Sequence, residues 1–124
     1  MNKHESFILS WETFNFYSGE IINAEYNYIN NLKSIQKLFK LPSVPRRFDL
    51  KILKCLDSMD CLINLYKKQK LSVSDLMKYY GDPNMNTPEG YDIDLKSLDD
   101  LVDVTNDLIK EMESNKDQVQ KLLY

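Results

Sequence analysis

Few residues in this 124-residue chain are placed to do chemistry. Asp82, Asn84 and Asn86 stand at positions one, three and five of a loop, the spacing at which an EF-hand offers oxygen ligands to calcium. The sixth position, where such a loop turns on Gly, is Thr87, and the twelfth, where it needs a bidentate Glu, is Ile93. Pro83 and Pro88 stiffen the segment further. Ordinary turn chemistry is the expected role of this loop, with Asp92 and Asp94 left as ligands for a weak cation site. No resident metal or other cofactor is expected.

The nucleophiles and ligands elsewhere are sparse. His4 is the only histidine, so neither a His-based triad nor a multi-His metal site can be assembled within one chain. Cys55 and Cys61 lie six residues apart in a helical pattern, on different faces. They are expected as two reduced thiols, with Cys55 toward the core. The three glycines, Gly19, Gly81 and Gly90, are scattered and form no phosphate-cradling loop. The Glu-x-x-His pairs of a di-metal bundle are absent. The expectation is a protein that is not an enzyme.

Charge offers other candidates. The net charge is −3, but residues 1–80 carry 12 basic and 8 acidic side chains, a net +4, while residues 81–124 carry 4 and 11, a net −7. Arg46 and Arg47, the only arginines, stand together at a bend with Lys40, Lys51 and Lys54 nearby, a candidate phosphate contact. A nucleic-acid binder normally carries a clear basic excess, so a solvated corner or an ion pair with the acidic last helix is the simpler expectation. Asp99, Asp100, Asp103, Asp107 and Glu111 form an acidic row that can dock on a basic partner or imitate phosphates. Fourteen aromatic side chains against a single alanine, Ala24, is a heavy aromatic load. Phe7, Trp11, Phe14, Phe16 and Tyr17 concentrate it at one end, where it serves either as core or as a partner surface.

The elements that position these residues read as helices. From Glu5 to Lys40, steps of four and three give Phe7, Trp11, Phe14, Ser18, Ile21, Glu25, Tyr28, Leu32, Ile35 and Phe39, a coiled-coil-like stripe widened by Ile8, Ile22 and Ile29. Ser18-Gly19 is the natural place for a break. Pro42 and Pro45 end the segment. A second helix starts near Pro45 and shows Phe48, Ile52, Cys55, Met59, Leu62 and Tyr66 on one stripe. A short third helix is expected from Ser72, which has Asp75 three residues on as in a capping box, Leu71 and Leu76 as a staple, and Gly81 to stop it. The last helix runs from about Asp94 or Ser97, with Leu95, Leu98, Val102, Thr105, Ile109, Met112, Lys116, Val119 and Leu123 as its seam and Leu101, Leu108 and Leu122 as a second row. A straight helix over residues 5–40 would be about 54 Å long, against roughly 35 Å for a compact domain of this size. The first helix therefore either breaks or makes the bundle elongated.

The expected fold is all-α: one domain over residues 1–124, an elongated bundle of three long helices plus one short helix. No apolar run is long enough to span a membrane, and the apolar run Phe7-Ile8-Leu9 is too short for a signal-peptide core, so the chain is expected in the cytoplasm. The composition, rich in Asn, Lys, Ile and Tyr and poor in Ala, suggests an A+T-rich genome: that of a low-GC bacterium, its phage or plasmid, or of some yeasts and parasites. The expected function is a non-catalytic protein-binding module of inhibitor, immunity or antitoxin type. The alternatives are an adaptor or subunit of a larger assembly, or a nucleic-acid-linked regulator using acidic mimicry or Arg46 and Arg47. The partner surface is expected among Phe7, Trp11, Phe14, Tyr17, Arg46, Arg47, Asp99, Asp100, Asp103 and Asp107. A homodimer through the first-helix aromatics is a further expectation. Neither nucleic acid nor a membrane is the expected partner.

Overall fold

The computed structural model describes residues 3–80 and 95–123, with side chains from residue 5 onward. Three long helices, α1 (Lys3–Ile35), α2 (Asp49–Tyr80) and α3 (Leu95–Gln120), are joined or followed by short 3₁₀ turns at Gln36–Lys40, Arg46–Phe48 and Lys121–Leu123. No strand occurs among the described residues, so the all-α class holds. The expected stop at Gly81, the calcium-like loop at residues 82–94 and the His4 side chain lie outside the described residues.

The short fourth helix does not exist as a separate element, because α2 runs straight through it. Ser72 is buried inside α2 and donates its hydroxyl to the Lys68 carbonyl at 3.2 Å. Leu71, the expected staple residue, is 68% exposed. The reason is register. The buried stripe Ile52, Cys55, Met59, Leu62 and Tyr66 continues through Gln69, Val73 and Leu76 at the same steps of three and four. A break at Ser72 would rotate Val73 and Leu76 out of the core. Burying each such side chain contributes about 1.5–3 kcal/mol, which outweighs a cap worth about 1 kcal/mol.

α1 is likewise unbroken through Gly19. Glycine inside a helix costs roughly 0.5–1 kcal/mol, and buried contacts on both sides hold the helix together. The two polar positions of the stripe are satisfied across the α1–α2 seam. Gln69 donates Nε2 to Ser18 Oγ at 2.6 Å, while Ser18 donates its own hydroxyl to the Phe14 carbonyl at 3.0 Å. Tyr66 donates its hydroxyl to Glu25 Oε1 at 2.6 Å.

The end of α1 departs from the expected stripe. The α-helix stops at Ile35 and the chain tightens into a 3₁₀ turn, in which residues three apart eclipse. Leu38 therefore stacks over Ile35, at 3% exposure, and Phe39 turns outward to 44%. The second helix begins as a 3₁₀ turn after Pro45, whose carbonyl accepts from the Phe48 N–H at 3.1 Å.

α2 is the central element. α1 runs antiparallel along one flank: its start meets Tyr79 and Tyr80 through Phe7, and Asn31 near its end donates Nδ2 to the Lys54 carbonyl at 3.4 Å. α3 runs antiparallel along the other flank, tied by Lys67–Glu113 at 3.7 Å and by Lys116–Asp60. The extensive pairings are α1 with α2 and α2 with α3; α1 and α3 make no comparable pairing with each other. Two cores result. The larger joins Ile21, Ile35, Ile52, Met59, Leu62, Met112 and Val119. The smaller joins Phe7, Val73, Leu76 and Leu98 at the end where α1 and α3 begin. At 33 residues α1 is about 50 Å long, so the bundle is elongated. No described helix is long and apolar enough to cross a membrane.

Candidate functional site

Because α1 and α3 both pack on α2 and little on each other, a groove of about 230 Å³ remains between them. Its floor is Leu62 and Tyr66 of α2. Glu25, Tyr28 and Ile29 of α1 form one wall, and Leu108, Glu111, Met112 and Asn115 of α3 form the other. The walls continue beyond this volume by helical spacing. On α1, Ile22 and Tyr26 share the Ile29 side at steps of four and three and are 56% and 69% exposed, with Ile29 itself at 45%. On α3, Val104 lies one turn before Leu108 and is 53% exposed. Helices bury such rows against a neighbour, and among the described residues none covers them.

The polar groups inside the groove are held in place. Burial pushes Tyr66 well above the ordinary tyrosine range, reinforced by its hydrogen bond to Glu25 and by the Glu25 and Glu111 charges. Tyr28, hydrogen-bonded to Asn115 across the groove, is raised chiefly by burial and further by Cys55 and Glu111. Both phenols therefore stay protonated at neutral pH and act as hydrogen-bonding groups. Burial also raises the Cys55 thiol, which makes it unreactive. Among the described residues no three His, Cys, Asp or Glu side chains converge on one point that would hold a metal.

Two carboxylates line the groove, Glu25 on α1 and Glu111 on α3, and both helices are acidic over this stretch. Between Lys3 and Lys33, α1 carries no Lys or Arg but has Glu5, Glu12, Glu20 and Glu25. Between Lys96 and Lys110, α3 carries Asp99, Asp100, Asp103 and Asp107 and no basic residue. Asp100, Val104, Asp107 and Glu111 follow one another at steps of four, three and four, so the groove-side row of α3 mixes an apolar side chain with three carboxylates. Lys96 and Lys33 mark the limits of this acidic field.

The residues singled out from sequence do not converge on one site. Phe7 is 1% exposed, ringed by Trp11, Tyr79 and Tyr80 at centroid distances of 6.4, 5.7 and 5.8 Å, and is a core residue with no surface to offer a partner. Trp11 and Phe14 are half-buried against the same cluster, and Tyr17 is half-buried against Phe16. Phe16, at 61%, is the open member of the group. Arg46 and Arg47 sit at the opposite end of the bundle, both exposed, with Arg47 over the Phe48 ring at 4.9 Å. Arg46 lines a shallow cleft of about 650 Å³ with Leu38, Phe39, Lys121 and Leu122. The α2–α3 ion pairs use Lys67 and Lys116, and among the described residues neither arginine pairs with an acid of α3. Asp99, Asp100, Asp103 and Asp107 are all exposed, and Asp100 and Asp107 lie on the groove side.

Ile22, Tyr26, Ile29, Val104 and Leu108 were not among the expected partner residues. Their signal lay in the side rows that broaden two stripes, Ile22 and Ile29 on α1 and Leu101 and Leu108 on α3, which turn out to flank one groove. No family model, no curated protein and no solved structure matches the chain.

Proposed function

We propose that this protein is a non-catalytic module that binds a partner protein in the α1–α3 groove. The observation that supports the reading is the open groove with Ile29 on one wall and Leu108 on the other, continued by helical spacing into the exposed Ile22, Tyr26 and Val104. Exposed apolar rows of this kind are stable when a partner helix lies in the groove as a fourth member of the bundle. The carboxylates of α1 and α3 select a partner with basic residues flanking its apolar stripe, because opposite charge speeds encounter and sets orientation. An acidic groove that covers a basic functional surface is what an inhibitor, immunity protein or antitoxin needs. A cytoplasmic setting belongs to the same reading.

A photo-reactive amino acid at Ile29 or Val104, expressed in the native host, tests this. A discrete protein adduct at both positions, missing when the same group replaces the outward-facing Asn30, is expected. Equal labelling from Asn30, or no adduct from either groove position, would contradict it.

A second reading draws on the opposite end of the bundle. Arg46, Arg47 and Lys121 beside the cleft at the bend form a basic corner that suits a phosphate, as in a nucleic-acid-linked regulator. Retention on DNA or RNA that weakens with salt would favour it, and no retention at low salt would remove it.

A further inference from the structure

We propose that the end of the bundle where α1 turns into α2 docks on an anionic lipid surface. Residues 36–54 carry Lys37, Lys40, Arg46, Arg47, Lys51 and Lys54 against the single carboxylate of Asp49, a net +5 in a chain of −3, which leaves −8 for the rest. All six cations are exposed, and among the described residues none of them enters an ion pair. What they share is the end of the bundle, not one face of α2. Arg47 and Lys51 both lie over the Phe48 ring, at 4.9 and 5.9 Å, which keeps their charges at the bend. α3 finishes at the same place. Its Lys121 lines the bend cleft with Arg46, Asp49, Phe39 and Leu41, and the first acid back along α3 is Asp117, one turn away.

Apolar side chains are open among these charges. Phe39 and Leu41, on either side of Lys40 in the chain, are each 44% exposed, and Leu50 is 76% exposed. A phosphate backbone takes the cations but offers nothing to Leu41 and Leu50. A bilayer takes both, with cations at its headgroups and apolar groups at the boundary of its acyl chains. That combination favours a lipid surface over nucleic acid at this corner. The acidic remainder is also held away from a surface met end-on. Glu25 and Glu111 stand about 13–15 Å back from the ends of their helices, farther than the about 8 Å over which exposed charges act at physiological salt. A bundle standing on this end leaves the α1–α3 groove open to water, so lipid and partner protein do not compete. No described helix is long and apolar enough to cross a membrane, and end-on docking needs none.

Flotation of the full chain with lipid vesicles tests this. The protein should float with phosphatidylcholine vesicles containing one-third phosphatidylserine and stay behind with phosphatidylcholine alone, and its affinity should fall about tenfold as added salt screens the charges. Arg46→Glu with Arg47→Glu should weaken binding at least about twentyfold, since each cation near an anionic surface contributes roughly fivefold. Lys68→Glu with Lys110→Glu makes the same change in net charge on exposed side chains away from the bend, and should cost less than about threefold. Leu41→Ser with Leu50→Ser should weaken vesicle binding about tenfold with the helical circular dichroism unchanged. No flotation with the acidic vesicles, equal flotation with phosphatidylcholine alone, or an equal loss in the Lys68 and Lys110 variant would overturn the proposal. Retention on duplex DNA or RNA in preference to vesicles, indifferent to the Leu41 and Leu50 substitutions, would overturn it in favour of nucleic acid.

Discussion

The Tyr66 hydroxyl donates to the Glu25 carboxylate at 2.6 Å, linking the middle of α2 to the middle of α1 at the floor of the groove. Glu25 is a charged residue in the middle of an apolar stripe, and this bond is why the helix tolerates it there. The same bond fixes the tyrosine ring between the two walls. Tyr66→Phe should lower stability by about 1 kcal/mol at neutral pH. Burial and Glu25 raise the phenol above its ordinary value, so the folded state holds the proton more tightly than the unfolded state. That contribution is complete below about pH 10 and is lost as the pH climbs beyond it. Urea midpoints on both sides of that pH should fall less steeply for Tyr66→Phe than for wild type; equal slopes would remove the role assigned to this bond.

Phe7 and Phe16 are both aromatic residues near the start of α1, yet they should behave oppositely. Phe7, 1% exposed among Val73, Leu76 and Leu98, should cost about 3–5 kcal/mol as Phe7→Ala. Phe16, 61% exposed, should cost no more than about 0.5 kcal/mol as Phe16→Ala. Chemical denaturation followed through the single tryptophan, Trp11, measures both. Similar costs would contradict the inward placement of Phe7.

The continuity of α1 and α2 can be tested by backbone substitutions. A Cβ added at Gly19 meets nothing within 4 Å, so Gly19→Ala should stabilise the protein by about 0.5–1 kcal/mol. Ser74→Pro would be harmless in the first turn of a helix starting at Ser72. Inside an unbroken α2 it should cost about 3 kcal/mol. Thermal unfolding by circular dichroism distinguishes these outcomes, and a tolerated proline would restore the separate short helix.

The two thiols should separate cleanly by reactivity. Cys61 is exposed and Cys55 is buried with its thiol raised by burial. Under native conditions a thiol reagent should titrate one cysteine rapidly and reach the second only on unfolding. Rapid reaction of both would place Cys55 outside the core.

Most of the helical framework was legible because steps of three and four leave a strong trace in Ile52, Cys55, Met59, Leu62 and Tyr66, and in Leu98, Thr105, Met112 and Val119. Two misreadings came from local signals that long-range packing overrides. Ser72 and Asp75 have the look of a cap, but Val73 and Leu76 are needed in the core at the register set upstream. Phe39 fits an α-helical stripe, but a 3₁₀ turn substitutes Leu38. The groove was hidden for a different reason. Ile22 and Leu108 each read as extra width on their own helix, and only the flanking of α2 by α1 and α3, which no local spacing encodes, brings them to the same opening.

The central claim is that the space between α1 and α3 is the docking surface. The most direct measurement is a methyl spectrum of dilute, Ile-, Leu- and Val-labelled protein titrated with a synthetic helical peptide bearing a leucine stripe flanked by lysines. The methyl signals of Ile22, Ile29, Val104 and Leu108 should move together, while those of Leu41 and Leu53, exposed elsewhere on the bundle, stay fixed. Shifts at Leu41 or Leu53 with the four groove residues unmoved, or no shifts at all, would contradict the account.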